Sequence, residues 1–532
     1  MFRQPGQGGA CVCQAVIRFG STPRVVTHSR TDWPIFTTAL VTLLAIAGPL
    51  MLWPEASGRL VDTVYQFLTS QLGVVYIWAG NAVFGFVLWV ALSRHGRRVL
   101  GRPGVSPRFS TASWVSMVFC AGVATGILYW GTVEWAHYYV GPPFAIEPRS
   151  TEAVEWAATY GMFHWGPTGW AFYCLPTLAI GHAYYVRHQP HMRVSSACHM
   201  VLGGQTAGFI GRATDTLFIV GVLGAAGTSL GFGTPMIAAG LGYLFGVEST
   251  FGLQVGVVAL CAVLFTASVY VGLDRGIKRL SNVNVAITKA LLLFVLLAGP
   301  TLFILKMTSN SVGLLVYQFL RMNTWTDPLT NSRFVEDWTV FYWAWWVAIG
   351  PFMGIFVARI SEGRTIRQVV FCMLGFGSLG CAVYYGILGN YALHLELTGL
   401  LNVTALVLEQ GEPTAIVAVI ASLPAGGVVL GVFCIASLVF LATTYDSAAY
   451  ALASSASTAL GHDEDPERWH RMFWAVALAL LPLAMMRIGG LDPMRTASLV
   501  ASMPLLIVFV LMAVSLTRAL REDNLPKRTY DS

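Results

Sequence analysis

Charge is what this sequence has least of. Only 11% of its 532 residues are Asp, Glu, Lys or Arg, against 55% hydrophobic, whereas a soluble domain carries about 25% charged residues. That scarcity excludes a soluble enzyme and a nucleic-acid-binding protein, and makes the net charge of +6 a matter of loop topology. A nucleotide-binding P-loop, a zinc-ligand spacing and a convergent catalytic triad are all missing, so neither a pump nor an enzyme is expected. The nine cysteines lie mostly inside apolar stretches. Of those outside them, Cys11 and Cys13 form a C-x-C spacing that a metal or redox pair would accept but that is not specific by itself. Residues 1–31 hold no acidic residue and no long apolar core, so residues 1–34 are expected to be a cytoplasmic tail and not a cleaved leader.

What fills the chain instead is apolar runs. About 20 apolar residues cross a bilayer as a helix, and twelve stretches qualify, near 35–53, 72–93, 112–134, 153–186, 213–244, 252–273, 283–306, 337–360, 366–392, 413–455, 468–486 and 493–517. The fold expected is an all-α polytopic membrane protein, with two N-terminal transmembrane helices over 35–93, a transporter core over 94–517 and a short C-terminal tail over 518–532. Arginines gather in alternate loops: Arg94, Arg97, Arg98, Arg102 and Arg108; Arg187, Arg193 and Arg212; Arg275, Lys278 and Arg279; Arg364 and Arg367. The loops between hold mainly Glu55, Glu147, Glu248, Glu396, Glu409 and Glu412. By the positive-inside rule both termini face the cytoplasm. The loop 307–336 is then external, and 311–320 is expected to lie on the membrane surface.

Two windows have the form G-x-x-x-G, Gly122 to Gly126 and Gly350 to Gly354 with Pro351, on spans that cross in opposite directions. They read either as close helix packing or as broken helices at matching places in two inverted repeats, about 112–306 and 337–517. The aromatic residues beside them favour the second reading. WTVFYWAWW (338–346) carries five Trp and Tyr rings without a charge. A trimethylammonium group has no N–H to donate, so aromatic faces are the available means of holding it, at about 2 kcal/mol or more per desolvated contact. Trp165, Trp345 and Trp346 lie deep in their spans and are candidate walls. Trp338 and Tyr342, nearer the outer end, are either interfacial anchors or an outer relay site. Thr443 and Thr444 either ligate sodium or bond back to their own helix. His164 is read as a packed histidine before a proton relay, Lys289 as a snorkelling side chain.

DWTVFYWAWW (337–346), ARISEGRTIR (358–367), FSTASW (109–114), PPFAIEPRST (142–151), FHWGP (163–167) and GTSLGFGTP (227–235) together resemble the betaine/carnitine/choline transporter family, above all its carnitine/γ-butyrobetaine exchangers. The resemblance covers about residues 100–517. It implies two inverted five-helix repeats of LeuT-like fold behind two extra helices, a homotrimer in the bacterial inner membrane, and a quaternary ammonium substrate. Carried over by position, the central box falls on Trp165, Trp345 and Trp346, with His137 where the exchangers have a tyrosine. The box is then three-sided or borrows Tyr138. The outer site falls on Trp130, Trp338 and Tyr342. Met353 keeps the exchangers' methionine at one cation position, while Asn284 replaces their arginine at the other. With Thr443 and Thr444 retained as in the sodium-coupled members, sodium symport is expected, with sodium-independent exchange as the alternative. A receptor that uses the box only to bind is the reading from another class. No cofactor other than a coupling ion and no nucleic-acid partner is expected.

Overall fold

In hydrocarbon a backbone N–H or C=O has no water to bond to, so apolar runs of this length must close their hydrogen bonds within helices. The computed structural model describes residues 30–523 apart from 103, 124, 272–275, 331, 459–465 and 489–491. Cys11, Cys13, most of the expected N-terminal tail and residues 524–532 lie outside it. The helices are α1 (Trp33–Leu52), α2 (Pro54–Leu92), α3 (Thr111–Val123), α4 (Gly126–Val140), α5 (Thr151–His164), α6 (Pro167–Tyr185), α7 (Phe209–Phe245), α8 (Phe251–Val271), α9 (Gly276–Ala298) and α10 (Thr301–Thr324). After these come α11 (Phe341–Ile360), α12 (Ile366–Leu397, with π turns at Cys372–Gly377 and Tyr385–Gly389), α13 (Val403–Gln410), α14 (Glu412–Ala421), α15 (Gly426–Ser455), α16 (Arg468–Ile488) and α17 (Asp492–Glu522). Among the described residues nine helices are long and apolar enough to cross a membrane, or ten when the bent pair α3–α4 counts as one span.

Several expected spans come apart at identifiable residues. Span 153–186 divides at Trp165, where Gly166 is extended and Pro167 opens α6; proline suits a first helical turn because its missing N–H is not needed there. Span 413–455 divides where Ala425 takes a left-handed φ of 55°. Span 283–306 ends early, at Gly299–Pro300, and the helix expected on the surface at 311–320 begins at Thr301. The π turn Val335–Val340 leads into α11, whose apolar stretch is buried throughout at the centre of the bundle.

The two G-x-x-x-G windows behave differently. At the first, α3 and α4 meet at a 56° bend, and the Thr125 hydroxyl there donates to the Ser437 carbonyl of α15 at 3.0 Å. At the second the expected break is absent: α11 runs through Gly350, Pro351 and Gly354 as one helix. These small residues serve close packing on α6. A Cβ at Gly350 would stand 2.9 Å from the Phe172 carbonyl oxygen, and one at Gly354 would stand 2.5 Å from Pro176 Cβ. For the second window, packing is therefore the correct reading.

Three of the basic loops, those of Arg98, Arg187 and Arg364, share one face. Asp523, at the end of α17, accepts from Arg98 at 2.7 Å, Arg187 at 2.9 Å and His182 at 3.0 Å. The backbone of Arg98 and Leu100 pairs with Ile366 and Arg364 at 2.8 Å. On the same face the strand β1 (Arg30–Thr31) pairs with β2 (Ser457–Thr458). The ends of the described chain thus sit with the arginine-rich loops, as their charge requires. α1 and the second half of α2 turn apolar side chains outward, among them Leu44, Leu52 and Trp78, while the first half of α2 mixes Leu60 and Phe67 with exposed Glu55, Arg59 and Asp62.

Overpacking a tight helix contact costs about 1–3 kcal/mol. Gly354→Ala is therefore expected to lower the thermal unfolding midpoint in detergent. Gly256→Ala, where nothing lies within 4 Å of the added carbon, leaves it unchanged.

Candidate functional site

The break between α5 and α6 sets the site. It leaves Trp165 at the end of α5 with its ring turned into the bundle, and Gly126 makes room for it: a Cβ at Gly126 would lie 3.1 Å from Trp165 Cη2. Trp345 and Trp346 come from consecutive positions on α11. The centroid of Trp165 is 5.3 Å from that of Trp345 and 5.8 Å from that of Trp346, and the latter two are 5.5 Å apart, with interplanar angles of 55°, 75° and 71°. The indole N–H of Trp346 donates to the His164 carbonyl at 3.1 Å, which fixes its orientation. All three rings are buried. Rings this close touch one another. A trimethylammonium group could sit between their faces only if the rings moved apart.

The structure exchanges two residues between the sites read from the sequence. His137, expected as the fourth wall, instead faces the outer cluster: its ring is 5.0 Å from Trp338 and 6.4 Å from Trp130, and Nε2 is 3.2 Å from Glu412 Oε1. The reason is helical phase: His137 lies seven positions beyond Trp130 on α4, two turns on and so on the same face. Tyr342, expected with the outer cluster, stands 6.0 Å from Trp165 and 6.5 Å from Trp345. It opens α11 and is one turn nearer the box than Trp338, which lies in the preceding π turn. The outer cluster that remains is Trp130 and Trp338, edge to face at 5.7 Å, closed by Tyr138 at 4.9 Å from Trp338.

Between cluster and box lies Glu134, which the sequence reading passed over. Its side chain is fully buried on α4. One carboxylate oxygen accepts from Tyr138; the other accepts from Tyr342 at 2.6 Å and from Tyr385 of α12. His164 Nδ1 meets the Tyr138 hydroxyl at 2.9 Å and Nε2 meets Thr339 Oγ1 at 3.1 Å, a histidine packed and bonded at both nitrogens. A buried polar group left without a partner costs about 1–3 kcal/mol, and the three phenols remove that cost for both oxygens of Glu134. The signal was present in the sequence: a lone acid in an apolar helix marks a functional position by default.

At the positions the sequence suggested for a coupling ion, Met353 is buried with its Cε 3.4 Å from where a Cβ on Gly122 would be, so the thioether abuts the α3 break. The hydroxyls of Thr443 and Thr444 donate to the Phe440 carbonyl at 2.8 and 3.0 Å. Asn284 is fully buried on α9, and neither its amide oxygen nor its nitrogen has a partner among the described residues. Asp446, the acid of α15, is engaged by Arg471 at 2.7 Å as a buried ion pair between α15 and α16.

A bundle of apolar helices with one broken beside a buried aromatic box and a caged carboxylate defines a membrane transporter for an organic cation. The chain belongs to the betaine/carnitine/choline family of transporters, whose family model matches residues 34–525. It is 34% identical to a carnitine transporter of Acinetobacter baumannii over 489 residues, covering 92% of this chain and 88% of that one. It is also 34% identical to the uncharacterized transporter YeaV of Escherichia coli over 440 residues, 82% of this chain and 91% of that one.

Each desolvated cation–π contact is worth about 2 kcal/mol. Trp345→Ala and Trp346→Ala are each expected to weaken binding of a trimethylammonium compound about 30-fold in a tryptophan fluorescence titration. His137→Ala, which removes a ring outside the box, leaves that affinity within about two-fold.

Proposed function

We propose that this protein is a secondary active transporter of trimethylammonium compounds such as carnitine or betaine, working by alternating access. The observation that carries the reading is the buried Trp165–Trp345–Trp346 box beside the bent α3–α4 pair. Family membership and the 34% identity to a carnitine transporter support the substrate class. The arrangement proposed is two inverted five-helix repeats, about 112–306 and 337–517, behind α1 and α2. It sits as a homotrimer in the bacterial inner membrane with both termini in the cytoplasm.

Sodium is the coupling ion we favour. A buried amide oxygen without a donor, as at Asn284, suits a hard cation that takes oxygen ligands. The hydroxyls of Thr443 and Thr444 spend their protons on Phe440 and keep lone pairs for a cation. The second reading is sodium-independent exchange, and Met353 packed against the α3 break favours it, because its thioether fills space a first cation would use.

Proteoliposomes separate the two. Under symport, uptake of labelled carnitine falls at least about ten-fold without sodium, and Thr443→Ala or Asn284→Leu gives a similar loss in its presence, as expected when a site loses a ligand worth about 1.4 kcal/mol. Under exchange, uptake ignores sodium and rises with internal γ-butyrobetaine.

A further inference from the structure

An arginine in a loop is ordinarily solvated. Arg193, in the loop between α6 and α7, is only 7% exposed. Its Nη1 donates to Asp32 Oδ2 at 3.4 Å and stands 3.7 Å from Asp215 Oδ2, and its Nη2 donates to the Ser457 carbonyl. One guanidinium thus joins the loop to the lead into α1, to the start of α7 and to the residues just past α15. The backbone repeats the connection. The Asp32 N–H donates to the Ala456 carbonyl at 2.7 Å, and Arg30–Thr31 pairs with Ser457–Thr458. Asp215 also accepts from the Ser195 N–H at 2.9 Å and hydroxyl at 2.7 Å, which fixes the loop on α7. Asp32 stands at the N-cap of α1, yet its side chain makes no cap bond. Aspartate is among the strongest capping residues, at about 1 kcal/mol. A local preference set aside for a distant contact marks a functional position.

The same loop covers a cleft. His191 and Met192, just before Arg193, and Ser457, which accepts its bond, close a space of about 20 Å³ between the ends of α6, α11 and α15. Its walls are Tyr184, Ile355, Arg359, Tyr450 and Ser454. That is room for about one water, and no trimethylammonium compound passes. The cleft is on the side of the box where α11 runs toward the arginine-rich face, since Ile355 and Arg359 follow Trp345 and Trp346 on that helix. On the far side of the loop, His191 and Arg193 border a cavity of about 320 Å³, so the loop has space to swing without displacing packed neighbours. A buried ion pair adds little net stability, and its best-attested use is to fix one arrangement against another.

We propose that Arg193 is a positioning residue that latches the α6–α7 loop over this cleft, and that its release from Asp32 and Ser457 opens the path toward the arginine-rich face. The proposal rests on the transport reading above and assigns the closure of one side of the path to named contacts.

The test uses the full-length protein. Ser454→Cys reports the cleft, because Ser454 lines it and is 5% exposed. Its rate of labelling by a fluorescent maleimide is read against the parent chain, whose own thiols set the background. Arg193→Gln is expected to raise that rate at least about ten-fold, equivalent to about 1.4 kcal/mol of lost closure. Asp32→Asn, which keeps a side chain able to cap α1, raises it in the same direction. His137→Cys, in the outer cluster, is labelled no faster in either variant. An unchanged rate at Ser454→Cys overturns the proposal. A rise at both reporters overturns it too, because that is general loosening. Should Arg193→Gln not fold, Asp32→Asn decides by the same two readings. Uptake of labelled carnitine by wild-type proteoliposomes is measured alongside. Uptake together with unchanged labelling sinks the latch and leaves the transport reading standing. A wild type that takes up neither carnitine nor glycine betaine removes the transport reading, and the gating role with it.

Discussion

Glu134 is a carboxyl group fully buried among helices, and the centre of the molecule is arranged around satisfying its two oxygens. Its three donors come from three places: Tyr138 one turn along α4, Tyr342 on α11 and Tyr385 on α12. The cage thereby ties the first half of the chain to the second at a single point. Tyr342 and Tyr385 are also the rings nearest Trp165 outside the tryptophan pair, at 6.0 and 6.4 Å. Polarity and aromaticity are shared by the same side chains: Tyr342 and Tyr385 donate their hydroxyls to Glu134 and keep their rings beside Trp165, while the Tyr138 ring packs on Trp338. A buried network of this kind holds its geometry because any member that leaves strands the others.

Much of the class was legible in the sequence, for physical reasons that can be named. The apolar runs could only be membrane helices once charge was so scarce. Trp165, Trp345 and Trp346 stood out because tryptophans in the middle of a span are not where interfacial anchors belong. The break at Gly122–Gly126 and the closeness of those three rings follow from local signals, namely a glycine pair and the Gly166–Pro167 step. What the sequence could not convey was rotation. His137 and Tyr342 each sit one helical phase away from the role that position implied, and a difference of about 100° per residue decides whether a ring faces the box or the outer cluster. Gly350 and Gly354 were ambiguous in principle, because a small residue permits both a kink and a close approach. Only the place of Pro176 across the contact decides between them.

The outer cluster shows the same limit in its charges. Arg495, whose guanidinium lies over the Trp338 ring at 4.6 Å, comes from α17 and Glu412 from α14, both far along the chain from Trp130 and Trp338, so no window of sequence brings them together. The loop-charge argument, which treats arginine as a topology marker, passes over one that folds inward against aromatic rings. Conversely, the bonds at Asp523 show that argument working in three dimensions, since residues from separate loops converge on one carboxylate at the face where base accumulates.

The continuity of α11 has a mechanical consequence. It is an unbroken rod of 20 residues, about 30 Å from end to end, with Trp338 just beyond one end and Arg359 at the other. Close seating of Gly350 and Gly354 on α6 places its fulcrum near the middle. A rod held there behaves as a see-saw: whatever tilts one end away from its neighbours presses the other end toward them. In the alternating access proposed above, opening toward one side of the membrane and sealing toward the other would then be a single movement, carried by the stiffness of the helix.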